Sequence, residues 1–418
     1  MHLRVILNRI QKQPGFVYEA FHLKQKGDRL VLDIGVRSRA NRKAVCSGCG
    51  CQRSGYDRLA PRRFEFVPLW GVLVFFVYAL RRVDCPMCGV KVERIPWAQG
   101  KSHLTTVYAW YLARWAKRLS WRDVAEVFHT SWDSVVRSVG MAVAWGLEHR
   151  DLDGISAIGI DEIGRGTGHR YVTLVYQIDE GARRLLWVGK DRTVKTLLRF
   201  FRGFGKERSK RLRFVCSDMW KPYLRVIAKK AAQAVHVLDR FHIMSHMSKA
   251  IDQVRTQEVK VLKAKGKAPV LTGTRWCLLK RPENLTENQE IRLKELLGCN
   301  LKTVRAYLLK EDFQWFWHYV SSTWAGKFLE GWCRRTMRSR IDPMKKIAKM
   351  LRTHRELLLN WFKAKHEMVA LGVVEGFNNK AKVITKRAYG FRSYHLLELA
   401  LYHTLGDLPE PETTHEFC

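Results

Sequence analysis

The sequence predicts a multidomain α/β protein, and three observations support that fold class. Two Cys-x-x-Cys pairs near the N-terminus flank an apolar, strand-like stretch. Residues 155–242 then show strand patterns followed by alternating helix and strand patterns, and residues 243–370 are mostly helical in pattern. Of the 418 residues, 46% are hydrophobic and 27% are charged, so the chain can form packed cores and wholesale disorder is excluded. At roughly 100–200 residues per domain, we expect two to four domains.

The charge balance indicates the kind of partner. The chain has 75 Lys and Arg against 39 Asp and Glu, a formal net charge of +36, and such an excess attracts polyanions. The longest uncharged run, 66–80, has 15 residues, fewer than the ~20 needed to span a bilayer. Arg4, Arg9 and Lys12 interrupt the N-terminal segment, so no secretory signal is expected. Nucleic acid is therefore the expected partner, with no membrane, and the cysteine usage is typical of a reducing cytoplasm.

Residues 1–95 are predicted to form an N-terminal zinc-finger domain. Alternating patterns at Phe16–Leu23 and Leu30–Val36 predict a hairpin that turns at residues 26–28. Thiolates separated by two residues fit neighbouring corners of a Zn²⁺ tetrahedron. The alternative, buried free cysteines, would not explain two such similar motifs, and Cys51 is expected to be a bystander. The predicted ligands of a structural Zn²⁺ are Cys46, Cys49, Cys85 and Cys88.

Residues 96–150 are predicted to form a helix-turn-helix domain. A helical pattern over 103–119 precedes Ser120, which begins a capping-box pattern, and Ser131 is a candidate cap for the next helix. His129 occupies the turn position that usually holds Gly, which weakens the match and leaves an ordinary helical hairpin as the alternative. In the helix-turn-helix interpretation, the residues entering a DNA groove are Trp132, Ser134, Arg137 and Ser138.

Residues 151–242 predict a mixed sheet in which two acidic residues lie at one edge. Three consecutive strands followed by helix, strand, helix and strand are the element order of a ribonuclease-H-like core. Asp161 follows the apolar run of the first strand, and Asp218 ends the fourth strand. Because the fourth strand of this topology lies beside the first, we expect both carboxylates at the same edge. Glu162 alternates to the other strand face and is not counted as a ligand.

A final amphipathic helix over about residues 373–385 carries the third acidic candidate. Glu375 opens this helix, and residues 378, 379, 382 and 386 follow it on one face by helical spacing. That face combines a carboxylate, two amides, Lys382 and Lys386, a set that fits a metal ligand with phosphate contacts beside it. The alternative is a solvated polar face with Glu375 near a helix N-terminus, where acids are favoured anyway.

Several motifs in a fixed order give the sequence a family resemblance. They are Gly159-Ile160-Asp161-Glu162, Ser217-Asp218-Met219-Trp220-Lys221-Pro222-Tyr223, Val237-Leu238-Asp239-Arg240-Phe241-His242, Arg275-Trp276-Cys277-Leu278-Leu279-Lys280 and Glu375-Gly376-Phe377-Asn378-Asn379-Lys380, followed by the basic stretch 386–392. With these motifs the sequence resembles the DDE transposases of bacterial insertion sequences, most closely the ISL3 family. The resemblance covers nearly the whole chain.

The resemblance implies a site and an architecture. It implies that Asp161, Asp218 and Glu375 form a catalytic triad that holds two Mg²⁺ ions, with Mn²⁺ as an alternative. It also implies that residues 243–370 are an all-α insertion, which interrupts a ribonuclease-H-like core resumed at 371–406. The acidic tail, 407–418, is expected to be disordered. Asp239 and His242 match an Asp-x-x-His motif that would support the active site or position DNA, and the alternative is a structural lock between the fifth strand and the insertion.

The resemblance also implies an activity on double-stranded DNA. We expect a transposase that binds terminal inverted repeats, cleaves DNA with metal ions and transfers the strand to target DNA. Such an enzyme would work as a homodimer or larger assembly in the bacterial cytoplasm, at the nucleoid. The alternatives are a non-catalytic DNA-binding regulator and a nuclease that cuts without joining. Beyond the helix-turn-helix, the expected DNA contacts are Lys382, Lys386, Arg387 and Arg392.

Overall fold

The computed structural model describes residues 3–165, 170–266, 270–365, 373–387, 391 and 393–412, with only the backbone described at 365, 373 and 387. The chain divides into two compact units, residues 1–151 with 387–418 and residues 152–386. Mixed α/β structure, as predicted, is found in both sets of described residues. Across these described ranges, no helix has both the length and the apolarity that crossing a bilayer requires.

The strands of the first unit all lie in its N-terminal part. Four of them form a mixed sheet in the order β1-β2-β7-β6, and the others form a three-stranded sheet β5-β8-β9 and a pair β3-β4. Their bounds are β1 Phe16–Lys26, β2 Arg29–Ser38, β3 Ala44–Val45, β4 Gln52–Arg53, β5 Gly55–Arg58, β6 Arg62–Leu69, β7 Val72–Tyr78, β8 Arg81–Cys85 and β9 Gly89–Val92; a short helix, α1 Leu3–Ile10, precedes them.

The predicted N-terminal hairpin is confirmed. Strands β1 and β2 pair antiparallel up to Lys26 and Arg29, which leaves Gly27 and Asp28 as the turn. Gly27 has φ +60°, a conformation that glycine adopts without steric cost. The uncharged run 66–80 contributes to two strands, β6 and β7, and its alternating residues Phe66 and Phe76 stack in the buried core.

A buried ion cluster joins the four-stranded sheet to the segment after β9. The Glu93 side chain is fully buried, and its carboxylate lies 2.7 Å from Arg81 and 3.3 Å from Arg42. The Tyr78 hydroxyl and the Arg81 backbone N–H also donate to Glu93, at 2.5 and 2.9 Å. Four donors around one buried carboxylate satisfy the charge, which otherwise would be costly to bury.

Four helices complete the first unit. They are α2 Thr106–Ala116, α3 Trp121–Val127, α4 Trp132–His149 and α16 Tyr394–Leu405. The predicted caps are confirmed, because Ser120 and Asp123 form a reciprocal capping box on α3 and the Ser131 hydroxyl accepts from the Ser134 N–H. His129, in the turn between α3 and α4, has φ +54°, the left-handed conformation for which glycine is the usual choice.

The expected disorder of the acidic tail is wrong for residues 407–412. Glu410 forms ion pairs with Arg114 and Lys117 of α2, at 2.8 and 2.6 Å. Leu408 lies so close to Gly146 of α4 that a side chain at 146 would meet its Cβ at 2.6 Å. These two contacts fix the segment to the first unit. Residues 413–418 lie outside the described residues.

The second unit is built on a five-stranded sheet. Its strands are β10 Ala157–Gly164, β11 Tyr171–Asp179, β12 Ala182–Lys190, β13 Phe214–Ser217 and β14 Val235–Leu238, in the order β12-β11-β10-β13-β14. The fourth strand of this unit lies parallel beside the first, as predicted, with Ile160 opposite Ser217. Helices α5 Val194–Phe204, α6 Lys206–Arg211 and α7 Lys221–Lys230 join β12, β13 and β14.

A helical region follows β14, as the pattern of residues 243–370 predicts. Its α-helices are α8 Arg240–Ala264, α9 Arg275–Leu279, α10 Glu287–Leu297, α11 Lys302–Gln314, α12 Ser322–Arg338, α13 Asp342–Thr353 and α14 Arg355–Lys365. Two short 3₁₀ turns, Pro282–Asn284 and Trp315–His318, interrupt the series. Trp332, Phe313 and Phe316 are fully buried at its centre, so these aromatic residues form a core. Helix α15, Val373–Arg387, returns the chain to the sheet.

Candidate active site and metal centres

Asp161 lies on β10, the central strand of the five-stranded sheet, and is only 6% exposed. Its Oδ1 accepts the Glu162 backbone N–H at 2.7 Å. Its Oδ2 accepts the side-chain amide of Asn378, on α15. The Asn378 carbonyl in turn accepts the Tyr176 hydroxyl at 2.9 Å, and Phe377 stacks on the Tyr176 ring with centroids 4.8 Å apart. Helix α15 is therefore fixed to the sheet beside Asp161.

Asp218 directly follows β13, the strand next to β10, and both of its carboxylate oxygens have partners. Oδ1 accepts the Trp220 backbone N–H at 2.9 Å. Oδ2 accepts a hydrogen bond from the Arg192 guanidinium at 2.5 Å. The same guanidinium lies 3.1 Å from the Glu162 carboxylate and 4.5 Å from the centre of the Trp220 ring. Arg192 thus bridges the two acids, Glu162 and Asp218.

Asp239 and His242, at the start of α8, form a second group with Asp161. Asp239 caps the helix by accepting the Phe241 N–H at 2.8 Å. His242 Nδ1 lies 3.1 Å from Asp239, and His242 Nε2 lies 3.6 Å from Asp161. Oxygen and nitrogen atoms of these three residues all lie within 4.8 Å of one another, an arrangement that could hold a metal ion.

Glu375 lies in the first turn of α15 and is partly buried. It precedes Asn378 by three residues, close to one helical turn, so the two side chains project from neighbouring positions of the helix. The predicted polar face is not uniform, because Asn378 is buried whereas Asn379, Lys382 and Lys386 are exposed. The face therefore divides into an inward part beside Asp161 and an outward basic part.

Burial is the main cause of the raised carboxyl pKa values at the site. Burial raises the pKa of Asp161 to about 6. Burial and the charge of Asp218 raise the pKa of Glu162 to about 8, although Arg192 acts in the opposite direction. Burial lowers the pKa of His242, but Asp239 and Asp161 more than offset this effect and raise it to about 9. A divalent cation among these carboxylates would stabilise their ionised forms, and oxygen-rich sets of this kind suit Mg²⁺.

The four-cysteine cluster is the second candidate metal centre, and the sulfur atoms of Cys46, Cys49, Cys85 and Cys88 lie within 4.8 Å of one another. Cys49 and Cys85 have their sulfurs 3.6 Å apart, close to the ~3.8 Å expected in a tetrahedral site with Zn–S bonds of ~2.3 Å. The Gly48 N–H donates to Cys46 Sγ, and a side chain at Gly48 would meet Cys88 Sγ at 2.9 Å. The donor set and its spacing fit Zn²⁺, and Cys51 is exposed outside the cluster.

Comparison with known proteins identifies the family. A family model described as Transposase, for the DDE transposases of ISL3 insertion sequences, matches residues 158–401, more than half of the chain. The chain belongs to the ISL3 family of DDE transposases. The matched range contains the five-stranded sheet except its first residue, the helical region, and Asp161, Asp218 and Glu375.

Curated relatives resemble this transposase over most of their length. The transposase for insertion sequence element IS1557 of Mycobacterium tuberculosis is 30% identical over 412 residues, covering 92% of this chain and 90% of the relative. The transposase for insertion sequence element IS1001 of Bordetella parapertussis is 28% identical over 351 residues, covering 83% of this chain and 85% of the relative. These similarities extend beyond the family match into the N-terminal part of the chain.

Helix α4 of the transposase presents three of its four predicted DNA contacts at or near the surface. Trp132 is 43% exposed, Arg137 is exposed and Ser134 is half-buried. Ser138 is 1% exposed, and its hydroxyl donates to the Ser134 carbonyl at 2.8 Å. The prediction that Ser138 contacts DNA is therefore corrected, because helical spacing turns this residue into the core between α2 and α4.

A groove of about 350 Å³ beside α4 adds candidates that the sequence patterns did not indicate. Lys101 and His103, from the segment before α2, line it together with Arg137. No carboxylate is among its described lining residues, so the groove is cationic. Of the basic contacts predicted at the end of α15 and beyond it, Arg387 is described only in its backbone and Arg392 lies outside the described residues.

The sequence patterns also do not predict the roles of two residues at the transposase site. Arg192 lies between the end of β12 and the Thr193 cap of α5, and nothing in its local pattern indicates a contact with Asp218. Asn378 was recognised as a polar residue on the helix face but not as a partner of Asp161. Its position one turn after Glu375 was the available signal.

Proposed function

We propose that this transposase binds the terminal inverted repeats of its element and catalyses metal-dependent DNA cleavage and strand transfer. Asp161, Asp218 and Glu375 are the proposed ligands of the catalytic Mg²⁺ ions. The observation that carries the proposal is the hydrogen bond from Asn378 to Asp161, because it brings the helix of Glu375 to the strand of Asp161. Strand β13 pairs with β10 with Ser217 opposite Ile160, so Asp218 follows β13 beside the part of β10 that carries Asp161.

In this proposal the core has a ribonuclease-H-like fold. It comprises residues 151–242 and resumes at 371, and residues 243–370 form the helical insertion. The expected continuation of the core to residue 406 is corrected to residue 386, because residues 387–418, which include α16, belong to the first unit. The strand order β12-β11-β10-β13-β14, with β10, β13 and β14 parallel, supports this assignment. The insertion accounts for the long interval in the sequence between Asp218 and Glu375.

The residues around the acids prepare the site for phosphoryl transfer. Mg²⁺ bound by these carboxylates would lower the pKa of an attacking water and stabilise the leaving 3′-oxygen. The Glu162 N–H and the Asn378 amide fix both oxygens of Asp161, which keeps that carboxylate in one orientation. His242, held by Asp239, places its Nε2 beside Asp161, where it would meet a DNA phosphate bound at the site.

DNA recognition is assigned to the first unit. The proposed zinc finger, residues 1–95, and the helix-turn-helix, residues 96–150, would bind the terminal repeat, with Trp132, Ser134 and Arg137 at the start of α4. Lys382 and Lys386, exposed on α15, would contact the DNA backbone near the site. We further propose that a dimer or larger assembly holds the two element ends, and that the protein works at the bacterial nucleoid.

The test is a cleavage and strand-transfer assay on labelled terminal-repeat DNA with Mg²⁺. Wild-type protein should nick the element end and join it to target DNA. Asp218→Asn should retain DNA binding and lose both reactions. If the wild type binds the repeat but never nicks or joins it, the chain acts as a non-catalytic regulator. If it nicks without joining, the nuclease alternative replaces strand transfer.

A further inference from the structure

The contacts of Asp218 set a condition on its use as a metal ligand. One oxygen accepts the Trp220 N–H and the other accepts Arg192, at 2.9 and 2.5 Å. At this site, the described residues whose donor atoms cluster tightly enough for a metal are Asp161, Asp239 and His242, without Asp218. A metal that used Oδ2 of Asp218 would therefore have to replace or share the hydrogen bond from Arg192.

Arg192 has a fixed backbone and a side chain that remains accessible. The preceding residue, Asp191, has φ +72°, and its N–H and C=O are both hydrogen-bonded, to Tyr171 and Thr173. The Arg192 side chain is 26% exposed. The backbone at Arg192 therefore cannot shift readily, whereas the guanidinium can reach solvent by rotation about the side-chain bonds of Arg192.

The guanidinium also has unused donor capacity. Its Nε lies 3.1 Å from Glu162 Oε1, yet within the described part of the chain neither atom makes a hydrogen bond of good geometry. A phosphate group offers oxygens that match the planar fork of arginine. The DNA backbone could thus provide better acceptors for Arg192 than the acids that hold it in the free protein.

We propose that Arg192 is a positioning residue that holds Asp218 away from metal in the free protein and releases it when a DNA phosphate binds the guanidinium. Metal binding at Asp218 is then coupled to DNA binding, so the site becomes complete on the substrate. This inference rests on the proposed function, since it takes Asp218 as a metal ligand. Glu162 and Trp220 hold the guanidinium at Asp218 until DNA arrives.

The experiment is a Mn²⁺ titration followed by electron paramagnetic resonance, with and without a blunt duplex carrying the terminal repeat. The Mn²⁺ binding that persists in the Asp218→Asn variant is subtracted, so that the remaining signal reports Mn²⁺ bound at Asp218. Without DNA, Arg192→Gln should bind Mn²⁺ about tenfold more tightly than wild type, within the range of ordinary coupling between sites. DNA should strengthen Mn²⁺ binding about tenfold in wild type and little in Arg192→Gln. Arg208→Gln, which removes an exposed arginine paired with Asp153, should behave as wild type.

A second comparison controls for misfolding in Arg192→Gln. Loss of Arg192 leaves the Glu162 carboxylate without its cationic partner, which could itself disturb the fold. The effect of Arg192→Gln is therefore also measured in a Glu162→Gln background, by comparing Glu162→Gln with the double variant Glu162→Gln/Arg192→Gln. The double variant should again bind Mn²⁺ about tenfold more tightly. Equal or weaker Mn²⁺ binding on loss of Arg192 in both backgrounds overturns the proposal, whether or not the wild type cleaves DNA. Failure of the cleavage assay with the Mn²⁺ effect intact would instead refute the proposed function.

Discussion

The side-chain amide of Asn378 donates a hydrogen bond to Asp161, which lies 217 residues earlier in the chain. The Asn378 carbonyl accepts from Tyr176, so this one side chain bridges two neighbouring strands, β10 and β11. Without it, two buried polar groups would lose their partner. The same contact determines where α15, and with it Glu375, meets the sheet.

Asn378→Ala should therefore impair both stability and catalysis. The loss of two buried hydrogen bonds should lower the free energy of unfolding by about 1–3 kcal/mol. Strand cleavage should fall more than DNA binding, because α15 loses its attachment beside Asp161. Urea unfolding and the cleavage assay measure the two effects. Asn379→Ala, at the exposed neighbour on the same helix, is the control. Equal losses of stability and of strand cleavage in Asn378→Ala and Asn379→Ala would show that the contact with Asp161 is unimportant.

Glu93→Gln should destabilise the first unit strongly. The change removes the charge from a fully buried carboxylate and leaves Arg81 and Arg42 beside a neutral amide. Breaking a buried pair in this way costs about 3–5 kcal/mol. Chemical denaturation of wild type and variant measures the difference.

Glu19→Gln is the matched control, because Glu19 and Arg37 form a pair in which both side chains are about half exposed. Such a pair contributes about 1 kcal/mol or less. A Glu93→Gln variant no less stable than Glu19→Gln would contradict the importance of the buried cluster.

The four-cysteine cluster should bind one Zn²⁺ per chain. Elemental analysis of the purified protein should find stoichiometric zinc in wild type and in Cys51→Ser, since Cys51 lies outside the cluster. Cys85→Ser should lose the metal and melt at a lower temperature, because a structural zinc contributes directly to folding. Zinc-free wild type, or an unchanged melting temperature in Cys85→Ser, would refute the assignment.

Glu65 should make the first unit less stable at alkaline pH. Burial raises the pKa of Glu65 from 4.5 to about 7, and a hydrogen bond from Thr130 opposes this only in part. The folded state therefore holds the proton more tightly than the unfolded state does. The stability from protonated Glu65 is complete below pH 4.5 and is lost as pH rises through about 7.

Glu65→Gln, a neutral isostere, should consequently raise the free energy of unfolding by about 1–3 kcal/mol at pH 8 and change it little at pH 4. Urea unfolding at both pH values tests this. Glu126→Gln, which removes an exposed carboxylate on α3, is the control. A gain for Glu65→Gln that is the same at both pH values would indicate a packing effect instead of ionisation.

Local signals allowed much of the fold to be predicted from the sequence. The Ser120 and Ser131 caps act within three residues, and the hairpin turn depends on Gly27, so neighbouring residues decide these features. The element order around Asp161 and Asp218 was also readable, because strand adjacency in this topology follows from connection rules. His129 differs from these local signals, because it adopts the left-handed turn conformation at a position where glycine is expected.

The remaining features depend on contacts between distant residues. The bridge from Arg192 to Glu162 and Asp218 joins three separate elements, and no periodicity in the sequence indicates it. Ser138 was assigned to DNA by its place in a motif, whereas its burial depends on how α4 packs against α2. The tail was expected to be disordered from its composition, but Glu410 finds two basic partners on α2.

The division of the chain has a consequence for its synthesis. The first unit consists of residues 1–151 and 387–418, so the ribosome must finish the entire second unit before the first can close. Domains usually fold as they emerge, the N-terminal one first. Here α4 can complete its packing only after α16 and Leu408, which lies beside Gly146, have been synthesised. A nonsense mutation close to the end of the gene would thus damage the part of the protein that is translated first.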